Sequence, residues 1–345
     1  MPAITAPAGA ELAYSCDSDP GWQRRRCGRG FTYCDTAGHT LSPDARARLE
    51  ALAIPPAWEE VWICPDPNGH IQVTGRDERG RKQYLYHPLW TRQRSQAKFE
   101  TLVDFARALP RLREGVEADL RRRRMGLPLV AASVVWLLDN SLIRVGNPRY
   151  ARDNSSYGLT TLRSRHVEIA GPALRFRFKG KSGKQWRLEL TDRRMARLIS
   201  GLQDLPGQSL FQYEDETGLH PITSREVNDY IAALIGSPFT SRHFRTWAAT
   251  SGAYGLLAGE PPPASQAEAR RKVNAVLDAV AARLGNTRAV CRSSYVHPAI
   301  LADWSEGRPL RRGRGRALPH MDEDEVRTLA YLRARMRDDG ETAKA

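Results

Sequence analysis

The hydrophobic pattern of the chain changes its period near residue 90, and this change separates two kinds of structure. Before it, residues 61–63, 70–73 and 83–86 form short runs rich in β-branched and aromatic residues, and the last two runs alternate. Such runs predict strands. A short helix is predicted between residues 43 and 52, because Ser42 followed by a proline is typical of a helix start. We therefore expect a small α+β domain first.

After the change, apolar residues recur at steps of three or four, which is the period of one helix face. The first members of this series are Phe99, Leu102, Phe105, Leu109 and Leu112. Pro110 lies inside the pattern, so we expect the helix to break there. Residues 128–141 are nearly all apolar and predict a buried helix.

One stretch of the helical region has strand character instead. Residues 173–190 place apolar side chains on both sides of Gly-Lys-Ser-Gly-Lys at 180–184, which predicts a hairpin with its tip at these five residues. Gly285 is a predicted helix cap. Further helices are predicted at residues 192–203, 224–235, 241–257, 265–284 and 322–337. The fold class is α+β, with a small β-rich N-terminal domain and a larger, mainly α domain.

The length of the chain also favours two domains, because 345 residues exceed what one ordinary core accommodates. We place a flexible lead-in at residues 1–25 and the small α+β domain at 26–92. The mainly α domain follows at 93–305. A basic segment and a charged helix occupy 306–345.

The chain is strongly basic, with a net charge of +14 from 53 Lys plus Arg against 39 Asp plus Glu. A folded chain this basic typically binds a polyanion, although a general arginine bias would give the same excess. The basic run at 308–316 by itself indicates a solvated stretch more than a site. No window is apolar enough for a membrane span and the N-terminus lacks a signal-peptide pattern, so we expect a cytoplasmic protein.

The cysteines do not predict a disulfide framework, because there are five of them and they are widely spaced. No Cys-x-x-Cys pair is present. Cys16, Cys27 and Cys34 with His39 are the one combination that offers a zinc set, and their irregular spacing argues against it. We expect neither a metal nor another cofactor.

Five polar residues stand at notable places in this pattern. Each alone has an ordinary explanation, such as a helix-end arginine that satisfies carbonyls or a hairpin lysine that faces solvent. They are Arg144 after the apolar helix, Lys181 at the hairpin tip, Arg245 in a helix, Asn286 after Gly285, and Tyr295 nine residues later.

The order of these five residues resembles the catalytic set of the type IB DNA topoisomerases, in their compact poxvirus and bacterial branch. The strings Gly-Arg-Gly-Phe-Thr-Tyr, Ile-Pro-Pro-Ala-Trp and Gly-Arg-Lys-Gln-Tyr-Leu-Tyr-His-Pro are similar to the DNA-clamping domain of that branch. Tyr-Gly-Leu-Thr-Thr-Leu at 157–162 and Arg-Thr-Trp at 245–247 are similar to its catalytic domain. The resemblance extends from about residue 28 to residue 304.

The resemblance implies a role for each of the five residues. Tyr295 would attack a DNA phosphate, aided by cations that stabilise its phenolate. Arg144 and Arg245 would bind the non-bridging oxygens, since a guanidinium donates two parallel bonds to phosphate. Lys181 would protonate the leaving 5′ oxygen; Lys179 and Lys184 are the alternatives on that hairpin. Asn286 stands where many relatives have histidine, and would donate a hydrogen bond without titrating.

The resemblance also implies a set of DNA contacts. Gln83 would read a base edge, the tyrosines would contact phosphates or bases, and the cations would add sequence-independent attraction. Strand alternation places Tyr84 and Tyr86 on one face and Gln83 on the other, so all three reach DNA together only if the strand twists or bulges. The implied contacts are Gln83, Tyr84, Tyr86, Tyr150, Arg79, Arg81 and Lys82.

The implied enzyme relaxes supercoiled duplex DNA through a 3′-phosphotyrosyl intermediate, without ATP or metal. It would act as a monomer that closes around the duplex, as a cytoplasmic, nucleoid-associated protein. Two alternatives remain open here. A tyrosine recombinase shares the chemistry, although it typically has histidine at the position of Arg242 and a helical N-terminal domain. A non-catalytic DNA-binding protein on the same scaffold is the other.

Overall fold

The computed structural model describes residues 12–236, 239–310 and 317–342. The chain forms two compact units, at residues 1–98 and 99–345. Within the described residues, none of the helices combines the length and the apolar character needed to cross a membrane. The second unit begins later than the expected residue 93, because one long helix continues from the first unit into the second.

The N-terminal unit is built on a five-stranded antiparallel sheet. Its strands are β1 (Trp22–Cys27), β2 (Gly30–Cys34), β3 (Glu59–Ile63), β4 (Ile71–Arg76) and β5 (Lys82–Tyr86). They lie in the order β2-β1-β3-β4-β5, so β5 is an edge strand. Helix α1 (Pro43–Ala51) covers one face and buries Leu49 against Ile63 and Val73. The predicted small α+β domain is confirmed.

The expectation of a flexible lead-in at residues 1–25 is wrong for the part that the structure describes. Strand β1 starts at Trp22, and Ala13 forms a β-bridge with Gly69. The sequence WQRRRC concealed this strand because Arg24 occupies an inward position. Its guanidinium donates to the backbone carbonyls of Ile54, Pro55, Pro56 and Trp58, which satisfies a charge that would otherwise be costly to bury. Residues 1–11 lie outside the described residues.

Helix α2 (Pro88–Asp119) continues through Pro110 without the expected break. A proline inside a helix removes one hydrogen bond and costs about 3 kcal/mol. Leu109 and Leu112 on either side are completely buried, and their burial is worth a similar amount for each side chain, about 1.5–3 kcal/mol. Packing therefore outweighs the local cost.

The second unit is mainly helical and encloses the principal core. Helix α3 (Leu127–Ser141) is the predicted apolar helix, and it ends at Leu142 in the left-handed conformation. The sheet strands are β6 (Val167–Ala170), β7 (Ala173–Lys179) and β8 (Gln185–Thr191), and β9 (Gln212–Asp215) pairs with β10 (Gly218–Pro221). The remaining helices are α4 (Pro148–Asn154), α5 (Arg193–Gln203), α6 (Ser224–Ile235), α7 (Ser241–Ala258), α8 (Gln266–Leu284), α9 (Arg288–Ser294), α10 (Pro298–Ser305) and α11 (Glu323–Thr342).

The C-terminal helix α11 belongs to the core of the second unit, unlike the separate segment expected at 306–345. Tyr331 and Leu332 are buried in that core. Glu325 accepts from the indole of Trp247 at 2.8 Å and from Arg113, whose guanidinium also binds Asp139. Of the basic run at 308–316, residues 311–316 lie outside the described residues.

Candidate active site

The structure fixes Tyr295 at the end of the short helix α9. Thr287 caps the start of this helix by accepting from the backbone N–H of Val290, and the N–H of Tyr295 donates to the carbonyl of Cys291 at 3.1 Å. Thr250 on α7 donates its hydroxyl to the Tyr295 carbonyl at 3.1 Å and accepts from the backbone N–H of His297. Tyr295 is therefore held against α7 from both sides of its backbone.

Arg245 lies in the same helix α7 and is almost completely buried, with 3% of its surface exposed. Its Nη1 donates to the carbonyl of Leu142, and its Nη2 donates to the carbonyl of Leu284 at 2.7 Å. These two carbonyls end α3 and α8. Helix C-termini have unpaired carbonyls and partial negative charge, so both attract a cation. The buried guanidinium thus joins two helix ends.

The two carbonyls that Arg245 binds each precede another predicted site residue by two positions. Leu142 leads to Arg144, and Leu284 leads to Asn286. Arg144 donates from Nη2 to Oδ1 of Asn286 at 2.5 Å. Three of the five predicted residues are therefore linked by direct hydrogen bonds or by two residues of backbone.

Two buried N–H groups of this site have no acceptor within the residues that the structure describes. They are Nδ2 of Asn286 and Nε of Arg245. A buried donor without a partner costs about 1–3 kcal/mol, so native proteins rarely keep one. Both groups are donors, and the ligand that suits them is rich in acceptor oxygens, as a phosphate is.

The phenol of Tyr295 lies close to this cationic cluster. The guanidinium carbon of Arg245 is 5.2 Å from the centre of the Tyr295 ring. Burial by itself would raise the pKa of the Tyr295 phenol, but the charge and the hydrogen bond of Arg245, together with the charges of Arg144 and Arg242, outweigh burial and lower it. A lowered pKa means that the phenolate, which is the nucleophilic form, is favoured at this position.

Arg242 is the contributor that the sequence alone did not assign. In the sequence it stands out only as the position at which recombinases have histidine. It precedes Arg245 by three residues in α7, so both residues lie on one helix face. That spacing was the available signal. Its exposed side chain adds a third positive charge near the phenol.

Lys181 occupies the tip of the β7–β8 hairpin, as predicted. A cleft of about 300 Å³ has Arg144, Tyr150 and Lys181 among its lining residues, whereas Lys179 and Lys184 do not line it. The side chain of Lys181 is exposed, so it is not buried beside the arginines in this structure.

The hairpin is anchored against the end of α8 by Trp186 on β8. A Cβ atom on Gly285 would lie 2.8 Å from Cζ2 of this indole, so no larger residue fits there. Gly285 also has a φ of 61°, in the left-handed region that glycine adopts readily. Two requirements thus select glycine immediately before Asn286.

The predicted DNA contacts of the N-terminal unit differ in solvent exposure and in the partners that their side chains already have. Tyr84 and Tyr86 are 41% and 45% exposed and stack on each other, with ring centres 5.8 Å apart. Gln83 lies on the opposite face and donates to Asp77, as alternation predicted. The bulge that would align all three is not found in β5; the register shift lies between Ile71 and Val73, where β4 pairs with this strand.

The predicted cationic contacts are partly neutralised. Arg81 binds Asp77 at 2.6 Å, and this bond lowers the pKa of the Asp77 carboxyl to about 2. Lys82 pairs with Asp17 at 2.5 Å. Arg79 is exposed, and Tyr150 in the second unit is 42% exposed. Asp17 lies in the stretch expected to be flexible, so its pairing with Lys82 was not foreseen.

The zinc set considered from the sequence is not assembled. Cys34 is buried, whereas Cys16 and Cys27 are exposed. Among the residues that the structure describes, no three histidine, cysteine or carboxylate side chains converge in a way that suits a metal ion.

Comparison with known proteins gives two matches to protein families. Residues 82–307 match the catalytic core of eukaryotic DNA topoisomerase I, and residues 30–77 match the N-terminal domain of bacterial DNA topoisomerase IB. The DNA topoisomerase 1B of Acanthamoeba polyphaga mimivirus is 32% identical over 286 residues, which cover 80% of this chain and 85% of the viral protein. The DNA topoisomerase 1B of vaccinia virus (strain Copenhagen) is 24% identical over 124 residues, or 36% of this chain and 38% of the viral protein.

Proposed function

The chain belongs to the type IB DNA topoisomerase family, and from this premise we propose that Tyr295 cuts one strand of duplex DNA by forming a 3′-phosphotyrosyl bond. Arg144, Arg245 and Asn286 bind the non-bridging oxygens of the phosphate under attack. Lys181 donates a proton to the leaving 5′ oxygen. Rotation of the free 5′ end then relaxes supercoils before the strand is resealed.

The cleavage step exchanges one phosphodiester for another. The Oη atom of Tyr295 loses its proton to water and attacks phosphorus, and the bond from phosphorus to the 5′ oxygen breaks. That oxygen takes a proton from the Lys181 ammonium and leaves as a hydroxyl. Religation reverses each transfer, with the 5′ hydroxyl attacking and Tyr295 leaving. Both esters store similar energy, so the cycle needs no ATP.

The two buried N–H donors without acceptors carry this proposal. Nε of Arg245 and Nδ2 of Asn286 are buried donors without an acceptor among the described residues, and the Arg245 guanidinium lies 5.2 Å from the ring of a phenol whose pKa is lowered. Donors fixed in advance stabilise developing charge without reorganising during the reaction. The phosphate gains negative charge on these oxygens in its five-coordinate state, so the donors favour that state over the ground state.

Lys181 acts in this scheme from an exposed position at the tip of a hairpin. Its place beside Arg144 in the cleft supports the role, and its lysine chain of four methylene groups gives the reach that a moving leaving group requires. We propose that the hairpin carries the ammonium to the 5′ oxygen when DNA fills the cleft.

We further propose a monomer that closes as a clamp around the duplex. The net charge of +14 supports a polyanionic partner. The match of residues 30–77 to a bacterial domain supports a bacterial protein that acts in the cytoplasm on nucleoid DNA. Sedimentation of the protein with and without a duplex tests the monomer.

The experiment for the whole proposal is relaxation of a supercoiled plasmid in EDTA without ATP. The unaltered chain should relax the plasmid without exchanging strands between plasmids, which separates a topoisomerase from a recombinase. Tyr295→Phe should bind the plasmid but leave it supercoiled. Tyr213→Phe, which removes a hydroxyl from a tyrosine on β9 that bonds Glu226 and does not line the cleft, is the matched control and should still relax it. Nicking by Tyr295→Phe would overturn the assignment of the nucleophile.

A further inference from the structure

The N-terminal unit carries a row of contacting aromatic rings that continues beyond Tyr84 and Tyr86. The imidazole of His70 lies 6.5 Å from Tyr86 and 4.7 Å from Trp90, and Tyr14 contacts both His70, at 4.9 Å, and Trp90, at 5.5 Å. We name the five residues Tyr84, Tyr86, His70, Trp90 and Tyr14 the aromatic strip.

Three of the five rings in the aromatic strip are open to solvent, whereas His70 and Trp90 are half-buried. Tyr14 is 83% exposed, and Tyr84 and Tyr86 are each more than two-fifths exposed. Single exposed aromatic residues are ordinary, but a contiguous exposed patch marks a surface that binds something. Packing within the unit does not account for the strip, because the core of that unit lies on the opposite face, around Val73 and Leu85.

The segment before β1 helps to build the strip. It supplies Tyr14, and its backbone N–H at Ser15 donates to Nδ1 of His70 at 3.0 Å. A ring nitrogen that accepts a hydrogen bond carries no proton, so the neutral imidazole has its proton on Nε2. His70 is thereby set as a donor through Nε2.

The chemistry of the strip and its surroundings identifies the ligand. Each of its five rings ends in one N–H or O–H donor. Cationic side chains lie at both ends, since Lys82 is 5.5 Å from the Tyr84 ring and Arg94 is 4.9 Å from the Trp90 ring. Lys82 shares its charge with Asp17, whereas Arg94 is exposed. Donor-tipped rings between cations complement a row of phosphate oxygens.

We propose that the aromatic strip binds the sugar–phosphate backbone of duplex DNA, with Tyr14, His70, Trp90 and Arg94 as contacts additional to those on β5. This inference rests on the proposed function, since the duplex is the substrate of Tyr295. Tyr84 and Tyr86 stack on each other at 11° between their planes, so one face of each ring is turned to its neighbour and the hydroxyl edges remain for DNA. This geometry favours a duplex backbone over unpaired bases, which would stack on free ring faces.

The test is equilibrium binding of a fluorescent 30-base-pair duplex to the full chain carrying Tyr295→Phe, over a series of salt concentrations. Tyr14→Ala and Trp90→Ala should each raise Kd about fivefold, the effect of roughly one lost hydrogen bond. The slope of log Kd against log salt should stay unchanged, because neither residue is charged. Arg94→Ala should lower the magnitude of that slope by about 0.9, the value for one phosphate contact.

Two matched controls accompany these variants. Met336→Ala removes an apolar side chain that is 49% exposed on α11, and Arg26→Ala removes an exposed cation from β1, which is two strands from β4 and three from β5. Neither control should change Kd by more than about twofold. Neither should change the slope of log Kd against log salt by more than about 0.2. Thermal unfolding shows that every variant is folded.

Three outcomes would overturn the proposal. The first is binding of the duplex by the folded double variant Tyr14→Ala/Trp90→Ala within twofold of its parent. The second is a loss of affinity for a 30-nucleotide single strand alone, which would make the strip a single-strand surface. The third is an equal loss in Arg26→Ala and Arg94→Ala, which would show that net charge alone determines the affinity. Covalent adduct formation by the unaltered chain on the same duplex reports the proposed function separately, so its failure is distinguishable.

Discussion

Replacing Arg245 by lysine should destabilise the second unit and slow cleavage together, although it keeps the positive charge. Arg245 binds the carbonyls of Leu142 and Leu284 with two different nitrogens. A single ammonium group lacks this fork, so one carbonyl at a buried helix end loses its partner. The charge near the Tyr295 phenol remains.

The magnitude follows from the bonds that are lost. A hydrogen bond to a charged group is worth about 1.5–3 kcal/mol, and one of the two is lost, so the free energy of unfolding should fall by about 2 kcal/mol. For a unit of this size, that change lowers Tm by about 4–8 °C. Arg144 and Asn286 each follow one of the two carbonyls, so the released carbonyl lies two residues before a site residue, and a misplacement of about 1 Å in such a group costs about 100-fold in rate.

The assay combines calorimetry with single-turnover cleavage of a duplex at saturating protein. Arg242→Lys is the matched control, because Arg242 lies exposed in the same helix α7. It should leave Tm within about 1 °C of the unaltered chain, the scale of an ordinary surface substitution. If Arg245→Lys kept the parental Tm, the joining of α3 and α8 by this side chain would contribute nothing and the reasoning would be refuted.

Three further predictions concern the chemistry. Asn286→Asp removes the buried donor but keeps the acceptor for Arg144, so single-turnover cleavage should slow by about 10–100-fold, and an unchanged rate would contradict the donor role. Lys181→Met should slow cleavage of ordinary DNA by about 100-fold or more. The same variant should cleave DNA with a 5′-bridging sulfur at nearly the parental rate, because that sulfur leaves without a proton. Equal defects on both substrates would count against general acid catalysis. Cleavage should accelerate with rising pH towards an inflection below 10, because the pKa of Tyr295 is lowered and its phenolate attacks. Arg242→Ala removes one of the lowering charges and should move that inflection upward, whereas a downward shift would reverse the assigned sign.

The sequence was informative where local rules and the final packing agree. The apolar run at 128–141 forms α3, and the Gly-rich tip at 180–184 forms a hairpin turn. The order of the five site residues can be read from the sequence without the structure. The family that this order resembles is confirmed by the comparisons.

The predictions from the sequence were wrong where contacts between residues distant in sequence determine the local structure. Arg24 faces inward because four backbone carbonyls distant in sequence accept hydrogen bonds from its guanidinium. The charged residues of β1 therefore did not predict a strand. Pro110 stays helical because the leucines beside it are buried. The joining of two helix ends by Arg245 involves residues 39 and 103 positions away, which no local pattern contains. The aromatic strip likewise brings Tyr14 to His70 and Trp90 through folding alone.

The most direct test of the account identifies the residue that becomes attached to DNA. The protein would be trapped on a labelled duplex whose cut end diffuses away, then digested with trypsin and sequenced by mass spectrometry. Tyr295 is one of 11 tyrosines, and it is the only one in the tryptic peptide that runs from residue 293 to residue 311. We predict that the nucleotide is attached to this peptide at Tyr295 through a 3′ phosphate. Attachment to any other residue, or through a 5′ phosphate, would contradict the central claim.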